Sequence, residues 1–349
     1  MALGAGIVFA SGSAIAYCMD EAKTRNSIQK RINITQFAAN DPCEDTFNAY
    51  QLVSKNINSG YYAAVFDGHG VWQLAEYAKK NLHKFIQEDL EESNYQNIPK
   101  SIENAFDKIE SEFLKFSKMA YDFGYPKVAY VGACALVSLV VGDSLFVANA
   151  GDCKAVMLRK NKNGGYAPIK ASKTFSANKK SEQKRLKEAY KDEEDIVKCH
   201  QETSCYVKGS LMPSRALGDF RMKYAEFNEL KYPMNYGYRK PLKKYTGNYI
   251  THKPDIKEFK LTKDDKYLIL GSDGLWDEIS FIDACKIFQE NEANVDDLSK
   301  KLFESALNVV SKKYHISNSD IMEGNFVQNR RDVHDDITIV VVDLSDQVA

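Results

Sequence analysis

Aspartates recur at the ends of apolar runs in this chain. Tyr61-Tyr-Ala-Ala-Val-Phe leads into Asp67-Gly68-His69-Gly70, and Lys266-Tyr-Leu-Ile-Leu-Gly-Ser leads into Asp273-Gly274. Asp335-Asp336 opens the run Ile337-Thr-Ile-Val-Val-Val342, and a further pair, Glu44-Asp45, lies upstream. Carboxylates that converge without a counter-charge repel one another. If the fold gathers them, a hard divalent cation is the natural reason, and oxygen donors without paired His or Cys point to Mg2+ or Mn2+ rather than Zn2+. Two such ions about 3.5–4 Å apart can share a carboxylate and a water, turn that water into a nucleophile, and hold a phosphate ester for in-line attack. Glycine at 68 lets the backbone come close enough for its carbonyl to act as a ligand. His69, beside the shared aspartate, is placed to protonate a leaving oxygen. Taken singly, each feature has a plainer explanation. Asp-Gly is usually a turn, His69 alone would be a structural histidine, Asp335-Asp336 could be strand-edge charge, and Glu44-Asp45 could be a solvated turn. The conjunction carries the argument.

The elements that must position these groups follow from periodicity. Phe47–Val53 and Tyr61–Phe66 read as a hairpin. Val71–Leu90 and Ser101–Met119 switch to helical spacing, with Ser101 as the expected start of the second helix. Gly132–Val141, Ser144–Ala150 and Ala155–Arg159 read as strands, then Ser181–Lys191 as a charged helix. The surrounding stretch Lys179–Asp195 reads as a solvated face. Tyr267–Gly271 is a buried strand, Ile282–Phe288 and Val295–Val310 are amphipathic helices, and Ile337–Val342 is a last buried strand. Helices come in pairs between blocks of strands, which disfavours a doubly wound parallel sheet. The expected class is α+β, a central antiparallel β-sandwich flanked by pairs of helices. Tyr224–Tyr249, with six tyrosines and two prolines, has no period and reads as a long irregular insertion.

Bulk properties narrow the classes. The chain has 349 residues, with 47 basic against 48 acidic side chains and a net charge of −1. That balance argues against a nucleic-acid partner. Seven cysteines without a Cys-x-x-Cys argue against a disulfide framework and for an intracellular, reducing compartment, cytoplasmic or mitochondrial. Cys199, His200 and Cys205 lack a second ligand pair, so packing is the expected role there rather than zinc. Residues 2–18 carry no charge, and the segment 1–25 is read as a membrane anchor, a targeting segment or an apolar cap. Residues 26–349 then form one catalytic domain, with the insertion at about 224–250.

Ordered along the chain are Glu44-Asp45, Val65-Phe-Asp67-Gly-His-Gly70, Ala148-Asn-Ala-Gly-Asp152, Ser214-Arg-Ala-Leu-Gly-Asp219, Ser272-Asp-Gly-Leu-Trp-Asp277 and Asp335-Asp-Ile-Thr338. From about Ala38 to Leu344 the chain resembles the metal-dependent protein serine/threonine phosphatases of the protein phosphatase 2C type. The resemblance implies a β-sandwich with a binuclear Mg2+ or Mn2+ site at one end and a phosphoprotein substrate. It implies that Asp67 bridges both ions, that Glu44 and the Gly68 carbonyl complete one, and that Asp273 and Asp335 hold the other. Asp45 would orient water and His69 would be the general acid. Asp152 and Asp277 match a third metal site, and Asp219 would be structural or near a flap. Residues 38–45, 208–223 and 267–276 are similar to pyruvate dehydrogenase phosphatases.

The chain also departs from the pattern. Asn40 stands where many members place a phosphate-binding arginine, so phosphate must rely on the metals or on another cation. Ala171–Lys179 lacks the usual Asp-His pair, and Cys153 replaces a serine. The rival reading is a weak or inactive relative that binds phosphoproteins through the same fold. A hydrolase of small phosphate esters is chemically equivalent at the site.

Overall fold

The computed structural model describes residues 31–54, 57–201, 204–291, 297–327, 329–345 and 347. The apolar segment 1–25 lies outside the described residues. Along the chain run β1 (Ile32–Phe37), β2 (Asp45–Ser54), β3 (Ile57–His69), α1 (Gln73–Glu92) and α2 (Ile98–Asp122). Next come β4 (Gly132–Val141), β5 (Ser144–Ala150), β6 (Lys154–Lys160), β7 (Tyr166–Lys170) and α3 (Lys180–Ala189). The hairpin β8 (Val197–Gln201) and β9 (Ser204–Val207) follows, then the short β10 (Leu217–Gly218), β11 (Asp255–Lys260) and β12 (Asp265–Gly271). The chain closes with α4 (Asp273–Trp276), α5 (Phe281–Glu290), α6 (Leu298–Tyr314), α7 (Asn318–Glu323), α8 (Arg330–Val333) and β13 (Ile337–Asp343).

Two antiparallel sheets stack. One has the order β1-β13-β12-β6-β7, the other β11-β5-β4-β3-β2 with β10 added on β4. Side chains alternate between faces along a strand, and the central strands bury both. In β3, Tyr61, Ala63 and Val65 point between the sheets, while Tyr62, Ala64 and Phe66 meet α1 and α2. In β12, Leu268 and Leu270 face inward, while Tyr267 and Ile269 meet the layer of α5 and α6. Burial on both sides is why these strands read as unbroken apolar runs. The expected α+β sandwich with helices outside is what the structure shows.

Details differ from the sequence reading. The cap of α2 is Asn97, whose side chain accepts from the Lys100 N–H, with Pro99 in the first turn. Ser101 is buried inside the helix, because proline favours the first turn and fixes the start earlier. The stretch Lys179–Asp195 is not wholly solvated. Glu182 accepts from the Ser214 hydroxyl at 2.7 Å, and Glu193 is buried against Lys208 at 2.7 Å and the Tyr249 hydroxyl. The insertion explains this: Tyr249 folds back onto Glu193, so a charge that reads as exposed is covered by residues far along the chain. Cys199 and Cys205 face each other across β8 and β9 and form a disulfide. The cysteine count argues against disulfides, but the hairpin register sets this pair together. Residues 224–250 hold the short 3-10 turns Ala225–Asn228 and Met234–Tyr236, fixed by edge-to-face contacts of Tyr121 with Phe227 and Tyr238.

Leu270 is fully enclosed between the sheets. Leu270→Ala should therefore cost about 2–5 kcal/mol through lost transfer energy and a residual cavity. Urea unfolding checks this; a loss under about 1 kcal/mol would mean that the inter-sheet layer is not the packed core described.

Candidate active site

Strand ends converge at one edge of the sandwich. Asp45 opens β2 directly opposite Asp67 near the end of β3. Asp152 follows β5, Asp273 follows β12 as the first residue of α4, and Asp335 precedes β13. One carboxylate oxygen from each of Asp67, Asp152 and Asp273 lies within 4.8 Å of the others. Glycines permit the close approach. A Cβ at Gly68 would sit 2.4 Å from the Glu44 carbonyl, which accepts the Gly68 N–H at 3.1 Å. A Cβ at Gly274 would sit 2.2 Å from the Asp336 carbonyl. Ser272 ties the ends of β12 and β13 together: its hydroxyl donates to the Asp336 carbonyl at 3.2 Å and accepts from the Thr338 N–H at 3.0 Å.

The electrostatics are those of an under-neutralised cluster. Burial pushes Asp67 well above the usual carboxylate range, and Asp273, Asp45, Asp152 and Asp335 push it further. Burial and Asp336 raise Asp45, against hydrogen bonds from Thr338 and Ser272. Burial, then Asp152 and Asp335, raise Asp273. Burial raises Asp152 and Glu44, the latter eased by Arg331. Asp45 Oδ2 is buried without a hydrogen-bond partner. Buried carboxylates without enough counter-charge, with one oxygen orphaned, suit a hard oxygen-seeking cation. The residues present therefore fit Mg2+ or Mn2+.

Within the acidic group the members differ. Glu44 sits at the side bearing Arg331, with 3.2 Å between Oε2 and Nη1. Asp335 Oδ1 accepts the Asp336 N–H at 2.8 Å. Asp277 stands on the rim, 68% exposed and 3.4 Å from Lys154, so it is Asp152 that joins Asp67 and Asp273. Cys134 donates to Asp152 at 3.0 Å, and Cys153 lies 4.0 Å from Asp67 Oδ2. Burial and the aspartates push both thiols well up, so they stay neutral.

Two residues outside the expected ligand and acid set hold the site together: Asp219, expected to be structural or near a flap, and Asp336. Asp219 Oδ2 lies 2.6 Å from His69 Nε2. The contact crosses Gly132, which pairs with His69 on one side and Gly218 on the other; a Cβ there would lie 2.1 Å from both atoms of the bond. Asp219 is placed by Glu110 of α2, which accepts the Gly218 N–H at 2.8 Å and the buried Lys223 ammonium at 2.5 Å. Burial alone would lower the His69 pKa, but Asp219, with Asp152 and Glu44 beyond, raises it. The second residue is Asp336. Its carboxylate accepts the N–H groups of Ala39 at 2.6 Å, Asn40 at 2.9 Å and Glu44 at 2.8 Å, and the Asn40 side-chain amide at 2.9 Å. It clasps the loop that presents Glu44. The only sequence signal for either was its place inside a quoted motif.

A β-sandwich with a buried carboxylate cluster at one end presents a candidate metal site, and comparison with known proteins gives the class. The protein phosphatase 2C family model matches residues 36–314. Probable protein phosphatase 2C 42 of Arabidopsis thaliana is 31% identical over 288 residues, covering 82% of this chain and 73% of the relative. Probable protein phosphatase 2C 34 of Oryza sativa subsp. japonica is 33% identical over 282 residues, covering 80% and 71%. The fold is shared with serine-threonine phosphatase 2C from Toxoplasma gondii, at a TM-score of 0.61 and 15% identity over 89% of this chain and 94% of that one. A C. elegans sex determining protein superposes with a TM-score of 0.62 and 16% identity over 90% and 64%. The chain belongs to the protein phosphatase 2C family and is a protein serine/threonine phosphatase, metal-dependent as that family is. None of these names singles out the pyruvate dehydrogenase phosphatase branch. The family match ends before Asp335, yet β13 pairs with both β1 and β12, which carries Asp335 to the cluster.

The raised carboxylates set a pH signature. A carboxylate whose folded pKa lies above its unfolded value stabilises the fold at low pH and loses that contribution as pH rises through the folded pKa. In chelator, the melting temperature should fall as pH rises from about 5, where ordinary carboxylates are already ionised. Excess Mn2+ should reverse the trend, adding about 2.7 kcal/mol at one hundred times its dissociation constant. Scanning calorimetry across pH tests this; identical pH profiles with and without metal would exclude the cluster as the binding site.

Proposed function

We propose that the chain hydrolyses phosphoserine and phosphothreonine in proteins with two Mg2+ or Mn2+ ions held by Glu44, Asp67, the Gly68 carbonyl, Asp273 and Asp335. Asp152 and Asp277 border a further cation position. The carrying observation is the gathering of buried, under-neutralised carboxylates beside a His69–Asp219 pair. When bound, the ions supply charge neutralisation for phosphoryl oxygens and a lowered pKa for water. Asp45, with one oxygen free of protein donors, orients the attacking water. His69 protonates the departing serine or threonine oxygen. Asp219 accepts from His69 Nε2, which fixes the ring, leaves Nδ1 toward the leaving group, and keeps the imidazole protonated to higher pH. The segments similar to pyruvate dehydrogenase phosphatases favour a phosphoserine substrate.

Phosphopeptide hydrolysis by the full chain, titrated with Mn2+ and Mg2+ against chelator, tests the reading. Asp67→Asn should lower kcat/KM by about three orders of magnitude, or roughly 4 kcal/mol. Asp219→Asn should move the alkaline limb of the rate profile to lower pH, because the His69 proton is lost sooner. Gly132→Ala, which forces the pair apart, should act in the same direction with metal affinity kept. A fully active Asp67→Asn variant would overturn the ligand assignment, and an unmoved alkaline limb would remove His69 as the acid. Binding of phosphopeptide without turnover at any metal concentration would favour the inactive-relative reading. A higher rate on a small phosphate ester than on phosphopeptide would favour a small-molecule substrate.

A further inference from the structure

Most cations around the acidic cluster are already engaged. Lys154 Nζ sits 3.4 Å from both the Trp276 carbonyl and the Asp277 carboxylate. Arg330 donates to the carbonyls of Ala38 at 3.1 Å and Met322 at 2.9 Å. Arg221 lies beyond the His69–Asp219 pair and donates to the Lys240 carbonyl. Arg331 differs. Its side chain is 55% exposed, and its one hydrogen bond among the described residues runs to Glu44 Oε2 at 3.2 Å. A guanidinium carries five donors in a planar fork, so four remain open beside the cluster.

Its position is also held. Arg330, the preceding residue, pins α8 to the Ala38 carbonyl, and Asp336 clasps residues 39–44 from the other side. Asn40 on that loop cannot replace a cation, because its amide is given to Asp336 Oδ2 at 2.9 Å. A planar fork with open donors, next to a carboxylate proposed to hold metal, matches the geometry of a phosphoryl group.

We propose that Arg331 binds the phosphoryl oxygens of the substrate, with the guanidinium edge left open beside Glu44. The proposal rests on the phosphatase reading above and names its substrate contact. The alternative is that Arg331 only neutralises Glu44, and the two roles separate experimentally. Wild type, Arg331→Ala, Arg331→Gln and Arg331→Lys are compared as full chains loaded with Mn2+. Calorimetry measures binding of inorganic phosphate and of Mn2+; steady-state kinetics on a phosphopeptide gives KM, kcat and the inhibition constant for phosphate. Loss of a charge-assisted hydrogen bond should weaken phosphate binding and inhibition by about tenfold or more in Ala and Gln, with KM rising in parallel. Lysine should restore part of the loss, and Mn2+ affinity should hold. Gln keeps a donor toward Glu44 without the charge, so it reads the phosphate role even if Ala fails to fold. Unchanged phosphate binding in both variants, with or without altered Mn2+ affinity, would overturn the proposal. A wild type that binds phosphate but releases none from phosphopeptide would count against the phosphatase reading alone, since the calorimetric comparison still reports on Arg331.

Discussion

The repulsion among buried carboxylates at one end of the sandwich is the constraint on which the other features depend. Asp45, Asp67, Asp152 and Asp273 are all pushed toward protonation by burial and by each other. Left alone, such a cluster would spread or neutralise. It stays together because each member is bolted to a strand end that cannot move without disturbing a packed layer. β3 and β12 bury apolar side chains on both faces. The sheet order then fixes which strand ends are neighbours. The cohesion of three apolar layers is thus set against the electrostatic strain of one polar edge, and a divalent cation relieves that strain.

Asp336 shows how the strain is contained locally. It lies beside Asp335 in sequence but faces the other way, accepting four donors from the loop before β2. A buried carboxylate so satisfied is a structural anchor rather than a ligand. One Asp-Asp pair therefore divides its labour, one residue turned to the cluster and the next to the loop that delivers Glu44. The Glu110–Lys223 pair acts in the same manner beneath Asp219. Buried ion pairs add little net stability, and here the pair fixes the position of a backbone segment.

The architecture and the carboxylates were legible because both rest on local signals. An apolar run of strand length followed by Asp-Gly announces Asp67 and Asp273 without knowledge of the rest of the chain. Asp219 was not legible as the partner of His69. Its role depends on β10 joining β4 at Gly132, a pairing of two residues with no periodic signal. Glu193 read as exposed because the tyrosine that covers it comes 56 residues later. The Cys199–Cys205 bond depends on hairpin register, and the start of α2 depends on Asn97 and Pro99 winning over an equally plausible serine. Long-range closure, not local preference, decides each of these cases.

That same closure links the insertion to His69. The Tyr249 N–H donates to the Met222 carbonyl at 3.0 Å, and the Met222 N–H donates to the Asp219 carbonyl at 2.8 Å. Tyr121 of α2 donates to the carbonyls of Phe227 and Glu229, and Glu110 of the same helix holds Gly218. The segment 224–250 and the residue that orients His69 are therefore one mechanical unit, hung on α2. The carboxylates belong to another unit, built from strand ends. The orientation of His69 is thus tied to α2 and the insertion, whereas the carboxylates are set by the strand ends of the sandwich.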